Sequence, residues 1–211
     1  MNEKIIPAVI AKTQGELDDI LARVLPVADT LQLDIMNGLF VPNHSLDFDF
    51  SLPETDAHFE AHLMVDEPFR WITENITKVN TVLAPIETCK NPEETIDLVK
   101  ENNRRMGFVL NPETPLTMIT PYLESLDQVL IMTVNPGAYG APFLPEVLPK
   151  ISELRRMRPD VDIEVDGGIT PDTIGRVFEA GANMFVSGSY IVKSDDPGDA
   201  VNTLKNLVSR E

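Results

Sequence analysis

LDIMNGLFVPN, residues 33–43, is a short apolar run that carries Asp34 and then breaks at Gly38 and Pro42. IEVDGG, residues 163–168, repeats the design, with Asp166 closing the run and Gly167-Gly168 coming directly after it. Both read as the C-terminal end of a strand passing into a loop, and the pattern recurs outward in each direction. Strands are predicted near residues 5–11, 31–36, 59–65, 81–86, 106–110, 129–134, 163–165 and 184–186, and helices near 14–28, 69–75, 92–102, 115–123, 145–157, 171–180 and 197–208. Several of the helices open on proline beside a Thr, Asn or Asp that can cap. Strands alternating with helices predict right-handed βαβ units and a parallel sheet. Eight such units in 211 residues fit an α/β fold of the (β/α)8 TIM-barrel type, near the lower end of its size range. A doubly wound open sheet is the alternative, but no GxGxxG comes after the first strand. Residues 37–58 read as loop and short extended pieces, a long loop lying over the barrel mouth.

The length suits one barrel domain over residues 1–211, with no linker dividing it. Hydrophobic residues make up 43% of the chain, and no window approaches the ~18 consecutive apolar residues of a membrane span. The N-terminal residues lack the basic and apolar regions of a targeting segment, so a cytoplasmic location is expected. Cys89 is the lone cysteine, which excludes an intrachain disulfide and suits a reducing compartment. Thirty-four acidic residues against seventeen basic ones give a formal charge of −17, a field that disfavours nucleic acid and anionic membranes as partners. The same field repels phosphorylated metabolites. Such a ligand must be held by local devices, backbone N–H groups and helix N-termini above all.

Side chains alternate along a strand, so Gln32, Asp34 and Met36 share one face of the second strand while Leu31, Leu33 and Ile35 share the other. The apolar face packs on helices, which leaves Gln32 and Asp34 inside the barrel near its C-terminal rim, where active sites of this fold lie. His62 falls in the corresponding part of the third strand. Asp34, His62 and Asp166 together form a plausible oxygen and nitrogen ligand set for a divalent metal, although no local spacing motif marks one. His58, four residues before His62, lies roughly 13 Å lower along the strand and cannot join them. His44, in the loop after strand two, is free to fold over the mouth or to stay solvated. Glycine-containing turns come after the last three strands: 135–140 ending at Gly140, then Gly167-Gly168, and Ser187-Gly188-Ser189. The final two are the usual phosphate-binding places in such barrels.

The runs LDIMNGLFVPN (33–43), AHLMV (61–65), MTVNPGAYGAPF (132–143), IEVDGGITPDT (163–173) and EAGANMFVSGS (179–189) resemble the ribulose-phosphate 3-epimerase family, in order and across essentially the whole chain. The resemblance implies a barrel of the ribulose-phosphate binding type that interconverts D-ribulose 5-phosphate and D-xylulose 5-phosphate through an enediolate. It also implies Asp34 and Asp166 as the acid and base and as metal ligands, with His62 as a further ligand. Met36, Met64 and Met132 match the residues that cap the intermediate, and Gly167, Gly168, Gly188 and Ser189 match the phosphate-binding turns. The implied cofactor is a divalent ion (zinc, manganese or iron), and a homo-oligomer is the usual assembly.

Four departures from the family pattern are visible. Gln32 stands where a histidine metal ligand is usual, Asn37 replaces an aspartate, and Ala8 replaces a serine near the end of strand one. Ala138-Tyr139-Gly140-Ala141 replaces a Phe-Gly-Gly-Gln pattern, so Tyr139 fills a place where glycine lets backbone meet phosphate. A neutral amide oxygen is a hard, weak ligand, so affinity for zinc should fall and preference should move toward Mn²⁺ or Mg²⁺. The alternatives are a sugar-phosphate binding or sensing barrel without turnover, an epimerase for another ketose phosphate, and an aldolase or decarboxylase. The last lacks support, since no lysine lies near Asp34.

Overall fold

The structure, a computed structural model, describes residues 3–136 and 140–209. Its strands are β1 (Lys4–Val9), β2 (Thr30–Asn37), β3 (His44–Ser45), β4 (His58–Met64), β5 (Thr81–Pro85), β6 (Arg105–Leu110), β7 (Gln128–Met132), β8 (Asp162–Asp166) and β9 (Met184–Ser187). Eight of them are parallel, in the order β1-β9-β8-β7-β6-β5-β4-β2, and a β1–β2 pairing closes the ring. This is the TIM barrel expected. The helices are α1 (Gln14–Val24), α2 (Pro68–Asn75), α3 (Pro92–Glu101), α4 (Leu148–Met157), α5 (Ile174–Ala180), α6 (Ser189–Val192) and α7 (Pro197–Val208). No helix among the described residues is long and apolar enough to cross a membrane.

The period-two alternation of β2 sorts its residues. Leu31, Leu33 and Ile35 point out into a continuous apolar layer shared with Leu17, Leu21 and Val24 of α1. Inside the ring the aliphatic clusters are smaller: Ile6, Ala8, Met184 and Val186 on one side, and Leu83, Val109, Leu130 and Met132 on the other. Met36 and Met64 form a third apolar patch near the mouth, and the layer beneath is polar. Gln32, Glu60, Gln128 and Glu164 are all at most 1% exposed, and they form the floor beneath the mouth.

One predicted helix is replaced in the structure, and the irregular loop expected over residues 37–58 is present. Residues 115–123 do not form one α-helix but two 3₁₀ segments, Leu116–Met118 and Thr120–Ser125. Pro121 sits inside that stretch, where it has no N–H to give an α-helical bond and its ring crowds the preceding turn. The loop after β2 contains β3, which pairs antiparallel with the end of β2 (Met36 with Ser45, Asn37 with His44). The Ala11 backbone ties this loop to the one after β1, its N–H donating to Ser45 Oγ at 3.1 Å and its carbonyl accepting from Leu46 at 2.8 Å. Val41 of the loop packs on Met36 and Met64, so the loop roofs part of the barrel mouth.

Candidate active site and metal centre

The register of the sheet decides which side chains meet. Asp34 lies opposite His62 and Met36 opposite Met64 across β2 and β4, while Met132 lies opposite Asp166 across β7 and β8. All six sit on interior-facing positions at the C-terminal ends of their strands. Gln32 Nε2 donates to Asp34 Oδ1 at 2.8 Å and to Asp166 Oδ2 at 2.9 Å, bridging two strands that are not neighbours in the ring. His62 Nδ1 lies 3.2 Å from each of the same two oxygens and 3.3 Å from Gln32 Nε2. His62 and Gln32 are almost wholly enclosed, and Asp166 has the most solvent access of the four.

Burial raises the Asp34 carboxyl above its ordinary range, with the His62 hydrogen bond pulling the other way and the nearby Asp166 adding to the rise. Burial opposes charge on the His62 ring. The hydrogen bonds and negative charges of Asp166 and Asp34 outweigh it and lift the imidazole to about 9. Ligand atoms of Asp34, His62 and Asp166 all lie within 4.8 Å of one another. Two carboxylate oxygens and one imidazole suit a divalent first-row cation. Gln32 Oε1 is buried with no hydrogen-bond partner, so an acceptor remains unused beside this set. The residues present therefore fit a divalent metal.

Above the cluster opens a cavity of about 350 Å³. Asp34 and Asp166 reach it from below, Met36, Met64 and Met132 form part of its wall, and Gly140, Gly167, Gly168, Gly188 and Ser189 line its rim. Asp34, Asp166, the three methionines, the four glycines and Ser189 thus line one pocket, with Gln32 and His62 beneath it. Gly167 and Gly168 adopt φ of +116° and +65°, which side-chain-bearing residues rarely take. Asn37 bonds Asp66 Oδ1 at 2.7 Å, joining the loops after β2 and β4, and Ala8 lines the cavity wall. Gly137, Ala138 and Tyr139 lie outside the described residues.

The two other histidines stay apart. His58 Nε2 meets Thr81 Oγ1 at 2.7 Å at the opposite end of β4, and burial together with Lys4 and Arg105 depresses it to about 4. His44 stands exposed and pairs with Asp47 at 3.0 Å. Sequence reasoning missed the floor. Gln128 Nε2 bonds Glu60 Oε1 at 3.3 Å and Glu164 Oε2 at 2.5 Å, directly below His62 and Asp166. A signal was available: Glu60-Ala61-His62 and Glu164-Val165-Asp166 repeat the same-face spacing of Gln32-Leu33-Asp34. It also missed Thr133, whose backbone N–H donates to the Asp166 carbonyl at 2.7 Å and whose hydroxyl donates to the Gly167 carbonyl at 2.6 Å, which fixes the end of β8.

A sequence profile described as the ribulose-phosphate 3 epimerase family matches residues 4–192. A ribulose-phosphate 3-epimerase of Bacillus subtilis is 40% identical over 212 residues, covering 96% of this chain and 98% of that one. One from Schizosaccharomyces pombe is 34% identical, covering 98% of this chain and 94% of the relative. Among solved structures, 3-hexulose-6-phosphate synthase from Salmonella typhimurium superposes with a TM-score of 0.68 at 15% identity, over 97% of this chain and 98% of that one. At that identity the likeness concerns the barrel alone.

Proposed function

The chain belongs to the ribulose-phosphate 3-epimerase family, and from that premise we propose that it interconverts D-ribulose 5-phosphate and D-xylulose 5-phosphate in the cytoplasm. The observation that carries the reading is the placement of Asp34 and Asp166 on separate strands, cross-linked by Gln32 and His62 under a common cavity. Epimerisation next to a carbonyl needs a base on one face of the carbon and an acid on the other. One aspartate removes the C3 proton as the C–H electron pair moves toward the C2 carbonyl, giving an enediolate. The other, protonated beforehand, returns a proton to the opposite face and inverts C3. In the reverse direction the two exchange roles.

Gln32 and His62 hold the carboxylates through four contacts of 2.8 to 3.2 Å, so neither has to reorganise as charge moves. Met36, Met64 and Met132 give an apolar, polarisable wall that keeps water from the planar intermediate. Gly168, Gly188 and Ser189 offer backbone N–H groups to the phosphate, which the overall negative charge would otherwise turn away. A divalent ion held by Asp34, His62 and Asp166 would supply Lewis-acid stabilisation of the enediolate oxygens.

Proton NMR of D-ribulose 5-phosphate in D₂O tests this directly, with Mn²⁺ or Zn²⁺ supplied in separate arms. The C3 proton signal should disappear as D-xylulose 5-phosphate grows, and Asp34→Asn or Asp166→Asn should slow both by about 10²- to 10⁴-fold. A C3 proton that persists in every arm overturns the reading and leaves a barrel that binds sugar phosphate without turnover, or one that takes a different ketose phosphate.

A further inference from the structure

Gln32 faces the two aspartates with the wrong end of its amide for a metal. An amide nitrogen carries two hydrogens and no available lone pair, whereas its oxygen is an acceptor with two. Here Nε2 meets Asp34 and Asp166, while Oε1 is enclosed without a partner. The positions of the atoms nevertheless suit coordination. Gln32 Nε2, Asp34 Oδ1, Asp166 Oδ2 and His62 Nδ1 stand 2.8, 2.9, 3.3, 3.2 and 3.2 Å apart along five of the six edges they define. Donor atoms bound to one ion at about 2.0 to 2.2 Å are separated by roughly 2.8 to 3.1 Å when octahedral and roughly 3.3 to 3.6 Å when tetrahedral. The terminal amide atom therefore stands at ligand-to-ligand spacing from all three of the other atoms, and its element is what is unsuitable. The –NH₂ and C=O ends are alike in size, so a half-turn of the amide exchanges them without repacking the barrel interior.

We propose that Gln32 is a fourth protein ligand of the metal site, entering through Oε1 by a half-turn of its amide, and that it moves the site's preference from Zn²⁺ toward Mn²⁺. The proposal rests on the epimerase reading only for the expectation that a cation binds. The half-turn replaces two hydrogen bonds to carboxylates by one coordination bond. It also brings an acceptor that has no partner onto a cation, which is the stronger interaction for that atom. The donor set becomes three oxygens and one imidazole nitrogen. Hard oxygen donors suit Mn²⁺ and Mg²⁺, while additional imidazole favours Zn²⁺. Gln32 is thus a specificity-determining residue for the metal, and with Nε2 inward it holds the two aspartates together until the metal takes over that role.

Metal titration of the purified protein without substrate, by calorimetry with chelator competition, separates this from the activity question. Gln32→His should tighten Zn²⁺ at least tenfold while leaving Mn²⁺ within about threefold, and Gln32→Leu should weaken Mn²⁺ about tenfold. Thermal melts of both variants confirm folding. A third readout needs no variant: the ¹⁵N and ¹H resonances of the Gln32 side-chain amide should move on adding Mg²⁺ or Zn²⁺, because the –NH₂ leaves its carboxylate acceptors. Unchanged amide resonances at metal saturation, or Mn²⁺ binding by Gln32→Leu as tight as in the parent, would overturn the proposal. A protein that binds metal as described yet leaves D-ribulose 5-phosphate unaltered contradicts the epimerase reading alone. One that epimerises with Gln32 indifferent to metal contradicts this inference alone.

Discussion

Asp166 owes its direction to the glycine after it. Gly167 takes φ +116°, and a Cβ built there would run into Cγ2 of Val134, so the backbone turns at the one place where the carboxylate must face the cavity. Gly167→Ala should destabilise the fold by about 1–3 kcal/mol, from the strained φ and the overlap together. It should also lower kcat more than it raises KM, since in the proposed reaction the displaced group acts on the reacting carbon. Chemical denaturation and steady-state kinetics on the same variant read both effects, and a neutral result on stability would mean that Val134 yields without cost. At this scale much of the site is legible in the sequence. Asp34, His62 and Asp166 stand out because a charged or imidazole side chain inside an apolar strand has few structural uses. The bridging by Gln32 is not legible, because it joins β2 to β8 across the ring, and a linear reading of side-chain direction does not measure what faces what. Glu60 and Glu164 escape for a different reason: an acid beside an apolar run reads as surface, when the barrel interior is where it points.

Elements carry two glycines whose replacement should have opposite signs. In β6, a Cβ on Gly107 would lie 2.7 Å from Cδ2 of Leu83 and 2.8 Å from the backbone oxygen of Gln128 on β7. That oxygen is fixed by the ladder. Gly107→Ala should therefore cost about 1–3 kcal/mol by forcing β6 and β7 apart. In α5, nothing lies within 4 Å of a Cβ on Gly175, and alanine there should stabilise by about 0.4–1 kcal/mol by restricting the unfolded chain. Thermal melts of the pair give the comparison, and equal shifts of one sign would show that local space does not govern either site. The alternation of strand and helix is readable because it arises from periods of 2 and 3.6. The 3₁₀ segments at 116–118 and 120–125 are not, since proline permits a helix start and forbids a helix interior, and Pro115 and Pro121 do one each. The extended piece expected within residues 37–58 is readable but the position and pairing of β3 are not, because two residues leave no periodic signal.

For the whole molecule, the excess of acid sets the terms on which an anionic substrate arrives. Under the proposed function, a formal charge of −17 would repel the sugar phosphate until the last few ångströms, where the rim glycines would take over. Added NaCl, from about 10 to 150 mM, should therefore lower KM and leave kcat nearly unchanged, the reverse of an enzyme that attracts its substrate electrostatically. A KM that rises with salt would mean that a local positive field at the mouth dominates. That charge is a count over a sequence, and the carboxyls of the barrel floor titrate above their ordinary range. Burial first, then the charge and hydrogen bond of Glu60, hold the Glu164 carboxyl well above its ordinary range, and burial raises Glu60 as well. In the unfolded chain both ionise near the ordinary value of about 4.3. A carboxyl raised in the folded state makes stability fall as pH climbs past the unfolded value, until the folded value is passed. At pH values between the unfolded and folded ones, closing the ring over Glu60, Gln128 and Glu164 is thus a reaction that takes up protons, and within that window the chain that emerges carries less charge than its letters add up to.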